Sequence, residues 1–142
     1  MTTNIDKDIT MKKYLAVLRR PIFFIIINFF LVNIIFSLLS DRLGNAAYDI
    51  GRICIIFYAG RLVTGKNIGG IWQSALAGTF IYFTDHVLLK GGVFILNYLF
   101  KPEGPGLAAF SGVIVSFIMF TPLAMLIGAM GGLFARSRRE RP

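Results

Sequence analysis

Residues 21–40 read PIFFIIINFFLVNIIFSLLS, twenty positions without a charge. At 1.5 Å per residue, a helix over that run is about 30 Å long, the thickness of a bilayer's hydrocarbon core. A soluble fold of this size has nowhere to hide such a rod. The chain has 142 residues, 56% of them apolar, and small domains bury too little of their surface to absorb that much. Charged residues are 15% of the chain, against about a quarter in ordinary soluble domains, and they gather at the ends of apolar runs. The class predicted is a single all-α integral membrane domain in contact with the lipid bilayer.

Three more runs complete the expected layout. Residues 46–63, AAYDIGRICIIFYAGRLV, are the least hydrophobic; residues 69–89 and 107–134 are more apolar. Together the four predict four transmembrane helices in an antiparallel bundle over residues 21–134. Ahead of them, Met11, Tyr14, Leu15 and Leu18 follow an i, i+3, i+4, i+7 pattern, with Lys12, Lys13, Arg19 and Arg20 on the other faces. Residues 1–20 therefore predict a short N-terminal amphipathic surface helix on the cytoplasmic face. Pro21 would sit in the first turn of the first span, where its missing N–H is harmless. The apolar run exceeds a signal peptide's and no A-x-A site follows, so it is expected to be retained. Lys90, Gly91 and Gly92 are expected to interrupt the third helix. That leaves residues 93–100 too short to cross, hence interfacial or re-entrant. A crossing over 79–100 instead would sink Asp85, His86 and Lys90 near mid-membrane and ranks second on cost. KPEGPG at 101–106 is a loop, Pro122 should kink the fourth span, and residues 135–142 form a basic cytoplasmic tail.

The net charge is +8. No basic stripe with interleaved exposed aromatics lies outside the apolar runs, so the charge points to headgroups and topology, not nucleic acid. Four crossings put eleven of the fifteen Lys and Arg residues on one side, among them Lys12, Lys13, Arg19, Arg20, Arg61, Lys66, Arg136 and Arg138. The other four, Arg42, Arg52, Lys90 and Lys101, fall on the opposite side. The positive-inside bias then makes both termini cytoplasmic. The expected location is a bacterial inner (plasma) membrane.

Two residue sets stand out. The first is a polar cluster. Asp49 and Arg52 are three apart and can pair on one helix face, whereas Arg61 lies on the opposite face. Spans two and three form a hairpin turning near Asn67. Counting from that turn puts Arg52 and Asp85 at similar heights, about 22–27 Å up. Asp49, Arg52, Asp85, His86 and Lys90 are thus expected to gather in the outer leaflet, with Arg52 pairing with Asp85 or Asp49. A functional version would bind an anion or relay a proton through His86; a structural version merely balances charge. The second set is small-residue rows: Gly70, Ser74 and Gly78 in span three, then Ala108, Gly112, Ser116 and Ala124, Gly128, Gly132 in span four. Such rows let helix backbones approach closely, within one chain or between chains.

Catalytic, cofactor and metal signatures are lacking. One His and one Cys (Cys54) exclude most metal clusters, and no P-loop, G-x-S-x-G or H-E-x-x-H occurs. No cofactor or enzymatic activity is expected. The leading expectation is an accessory or scaffold subunit that binds another membrane protein, or itself, through small-residue faces. The alternative is a small oligomeric transporter or channel with the polar cluster on its path.

Overall fold

The computed structural model describes residues 4–35, 41–100 and 106–139. Among them no strand occurs, and the chain forms four long helical rods. Three are long and apolar enough to cross a membrane, with the qualifying stretches Met11–Val32, Ile71–Phe100 and Phe110–Arg138.

The first rod, α1, runs unbroken over Asn4–Ile35 with Pro21 in its interior. The expected surface helix and the first span are thus one continuous helix, and Pro21 lies in its interior rather than in a first turn. The reason lies in the buried stripe. Leu18, Pro21, Ile25 and Phe29 are all buried, at spacings of three and four, so one helical face carries straight through the proline. In an apolar medium neighbouring helices can compensate the carbonyl that the proline leaves free. Residues 36–40 of the expected span lie outside the described residues.

The second rod, α2, covers Asp41–Gly65 and contains the expected span 46–63. It is not among the rods apolar enough to cross alone, yet it packs against all the others. Its buried face is Tyr48, Ile56, Ala59, Gly60 and Val63. The turn that ends it is closed by N–H bonds from Lys66 to the Leu62 carbonyl (3.0 Å) and from Ile68 to the Val63 carbonyl (3.1 Å). Asn67 supplies the left-handed residue, φ 56°, a conformation asparagine tolerates better than most.

The third rod joins α3 (Ile71–Phe83), a π-helical segment (Thr84–Lys90) and α4 (Gly91–Phe100). No break occurs at residues 90–92, and residues 93–100 continue the helix. Gly91 holds ordinary helical angles (φ −61°, ψ −39°) and its N–H bonds to the His86 carbonyl five residues back. A helical glycine costs about 1 kcal/mol. Leaving backbone groups unbonded in lipid costs several, so the helix continues. The last rod, α5, spans Gly106–Arg139 with Pro122 inside it. The expected tail from residue 135 is therefore helical as far as Arg139; residues 140–142 lie outside the described residues.

Contacts fix the arrangement. The Tyr14 hydroxyl donates to the Gln73 carbonyl (2.8 Å), Thr64 and Ser74 share a hydroxyl bond (2.7 Å), and a Cβ on Gly65 would lie 4.0 Å from that of Ala135. The start of α1, the end of α2, the start of α3 and the end of α5 thus share one end of the bundle, and successive rods run antiparallel.

The interior is narrow because glycines bring backbones into contact. A Cβ built on Gly128 would lie 2.5 Å from the Ser74 carbonyl oxygen and 3.0 Å from the Gly78 Cα. One on Gly60 would strike the Gly128 carbonyl, one on Gly78 the Ala124 carbonyl, and one on Gly131 the Phe57 carbonyl. Ser74 donates to the Gly60 carbonyl (2.9 Å), tying α3 to α2 across this seam. Ser74, Gly78, Ala124, Gly128 and Gly132 therefore pack on one another inside a single chain. Gly70 does not join them: it caps α3, its N–H donating to the Gln73 side chain (2.9 Å). Gly112 is exposed with nothing near it, and the surroundings of Ala108 lie outside the described residues. Outward-facing residues are mostly large and apolar, including Phe23, Phe30, Met119, Phe120 and every residue of Val93–Phe100 except Asn97. Lipid is the solvent that suits such a surface.

Candidate functional site

Asp85 is wholly buried in the π segment of the third rod. A π turn bonds i to i+5, so successive side chains are separated by a smaller angle than in an α-helix. Three consecutive residues, Thr84, Asp85 and His86, consequently point inward. An ordinary α-helix would turn at least one of them toward lipid. Thr84 satisfies its own hydroxyl on the Phe80 carbonyl (2.9 Å); Asp85 and His86 must look to other rods.

From α2, Tyr48 donates its hydroxyl to Asp85 Oδ1. One turn further along the same face, Arg52 reaches two carboxylates. Its Nη2 sits 2.8 Å from Asp49 Oδ1, and its Nη1 sits 3.6 Å from Asp85 Oδ2. The nearer contact is a hydrogen-bonded ion pair, and the farther one lies beyond good hydrogen-bond reach. Asp85 Oδ2 accordingly has no hydrogen bond. The Arg52 guanidinium also lies over the rings of Tyr82 (5.4 Å) and Tyr48 (5.8 Å), and Lys90 Nζ lies 4.7 Å from the Tyr48 ring centre. Both are within cation–π range. The structure therefore gathers Asp49, Arg52, Asp85 and Lys90 around Tyr48.

His86 stacks on Tyr82 (5.2 Å between centres, 21° between planes), which stacks on Phe117 of α5 (5.6 Å, 14°). The Tyr82 hydroxyl approaches the Ser116 carbonyl at 3.5 Å. Neither ring nitrogen of His86 has a hydrogen-bond partner, although the Val113 backbone of α5 faces the ring. Two carboxylates and two cations balance formally, so the cluster can sit in an apolar bundle without net charge. It still holds a carboxylate oxygen and two imidazole nitrogens whose bonding capacity is unused, and buried polar groups in that condition are uncommon. Asp49 is 54% exposed at its side chain and Arg52 19%, so the cluster runs from the bundle surface inward to Asp85.

The sequence reading lacked Tyr48, Tyr82 and Phe117. A signal for two of them is present: Tyr48 lies four residues before Arg52, and Tyr82 lies three before Asp85 and four before His86. Helical spacing alone would have put both rings beside the charges. Phe117 carries no such mark. Among the described residues no group of three His, Cys, Asp or Glu could hold a metal ion. Comparison with protein-family models, curated proteins and solved structures returned no match.

Proposed function

We propose that the chain is a four-span protein of a bacterial inner membrane, with both termini cytoplasmic, acting as a small transporter or channel. In this reading the Asp85 cluster lies on the path of a proton or small ion. The observation that carries it is the fully buried Asp85 carboxylate, one of whose oxygens has no hydrogen bond, beside the buried His86 ring. Ionisable groups inside a membrane bundle are costly and commonly mark ion or proton routes, and π segments recur at functional sites. Asp85 is the fifteenth of the thirty residues Ile71–Phe100, about 22 Å from either end of the rod. That is deep enough to act as a relay between the two faces. Spans two and three then insert as a hairpin, with α2 shielded by its neighbours. The experiment is ion and proton flux into liposomes holding the purified chain. Asp85→Asn should abolish the flux while the protein keeps its helical content and monodispersity. Equal flux from the wild type and this variant would sink the reading.

The accessory or scaffold subunit, the leading expectation from the sequence, is the second reading. Small-residue contacts spent inside one chain weaken it, but the exposed Gly112, with no atom near its would-be Cβ, favours it. A defined partner that co-purifies in mild detergent and is lost on Gly112→Leu would support this role.

A further inference from the structure

At the end of the bundle where α2 and α5 finish, their last turns enclose a cleft of about 400 Å³. Arg61 of α2, Lys66 of the turn that follows it and Arg138 of α5 line it, over a floor that includes Tyr58, Leu62 and Ala135. The two arginines converge on one ring: their guanidinium carbons lie 5.8 and 5.2 Å from the centre of Phe134. Phe134 in turn packs on Phe57 of α2 (5.9 Å), so α2 and α5 present the cations together. Among the described residues neither arginine makes an ion pair, both ion pairs there being Arg52's. Two cations on one ring, with no carboxylate paired to either among the described residues, leave positive charge that an anion can neutralise. The end of α2 does little to oppose one, because the carbonyls of Leu62, Val63 and Thr64 are already bonded by the N–H groups of Lys66, Ile68 and Asn67.

We propose that this cleft is a binding site for a phosphate-bearing anion, and specifically for the headgroup of an anionic phospholipid. The guanidiniums supply paired donors that match phosphate oxygens. Lys66 supplies a third positive charge at the rim. The apolar floor favours a lipid over a soluble phosphate. Exposed Ile50 and Ile53 of α2 and Leu126, Met130 and Leu133 of α5 give acyl chains apolar surface along which to continue from the cleft. Basic pockets between helices at a membrane surface suit such headgroups.

The test is native mass spectrometry of the full chain, released from detergent carrying equal phosphatidylglycerol and phosphatidylcholine. The expected result is selective retention of phosphatidylglycerol. Arg61→Gln with Arg138→Gln should lower its affinity about 25-fold, roughly fivefold per cation removed. Arg61→Lys with Arg138→Lys should keep most of it. Arg19→Gln with Arg20→Gln removes the same charge from the same end outside the cleft and should change retention little. Circular dichroism confirms that each variant is folded. Equal losses in the Arg19/Arg20 and Arg61/Arg138 pairs would mean diffuse electrostatics and overturn the site. Displacement of the lipid by millimolar inorganic phosphate would overturn the lipid as occupant and leave a soluble-anion site.

Discussion

Two alanine substitutions in one helix should have opposite signs. Gly128 and Gly112 both lie inside α5. Replacing a helical glycine by alanine removes backbone freedom from the unfolded chain and favours the helix by up to about 1 kcal/mol. At Gly112 nothing lies within 4 Å of the new methyl, so Gly112→Ala should gain most of that. At Gly128 the methyl would lie 2.5 Å from the Ser74 carbonyl oxygen, 3.0 Å from the Gly78 Cα and 3.1 Å from the Gly78 nitrogen. Ordinary contact begins near 3.5 Å, so α3 and α5 must separate by about 1 Å. All three struck atoms are backbone and cannot rotate aside. Overpacking of this kind costs roughly 1–3 kcal/mol, and opening the seam also loosens Ala77, Ile81 and Ala124, which pack together in the core. The clash therefore outweighs the helix gain, and Gly128→Ala should lose about 1–2 kcal/mol net. Thermal unfolding of the purified variants in one detergent, followed by circular dichroism, measures the difference. If both alanines shift the midpoint equally, or Gly128→Ala raises it, the backbone contact between α3 and α5 does not exist.

Ser74→Ala removes the hydroxyl that bonds both Thr64 and the Gly60 carbonyl. It should cost about 1.2 kcal/mol, two interhelical bonds at roughly 0.6 kcal/mol each; a loss above about 3 kcal/mol in the same melts would mean the site does more than join helices. Arg52→Gln and Asp85→Asn should each destabilise, and the double variant should fall short of their sum by roughly 1–3 kcal/mol. Strict additivity would show that the 3.6 Å approach carries no coupling. Single cysteines placed at residues 3 and 141 of a Cys54→Ser chain should both react only when an impermeant maleimide reaches the cytoplasmic face. Reaction of the two from opposite faces would end the four-span reading.

The large divisions of the fold were open to a reader of the sequence because hydropathy and helix length are local quantities. Residues 21–40 and 107–134 announce rods without knowledge of their neighbours. Positions 90–92 misled for the opposite reason. Gly91 and Gly92 look like a stop when propensity is scored in water, whereas in lipid the unbonded backbone weighs more. Pro21 misled similarly, since its tolerance depends on a stripe, Leu18 to Phe29, that no window centred on the proline reveals. In the candidate site, counting residues from the turn at Asn67 puts Arg52 level with Asp85, and the two approach to 3.6 Å. The count could not reveal that Asp49 would take the better hydrogen bond, or that Tyr48 would reach Asp85. The rows containing Gly78 and Gly128 were visible, but Gly60 and Gly131 repeat at no regular spacing and emerge only from packing.

The middle position of α2 bears on how the chain is made. This rod carries Asp49, Arg52 and Arg61 along its length and is too polar to qualify as a crossing by itself. During synthesis it emerges before α3 and α5, the helices that later sheathe it. In the proposed four-span arrangement, the insertion machinery would have to hold it at the water–lipid border until they follow. Entry of α2 into the bilayer would then be a collective step, with Ser74, Gly78, Gly128 and Gly131 closing around a segment too polar to stay there alone.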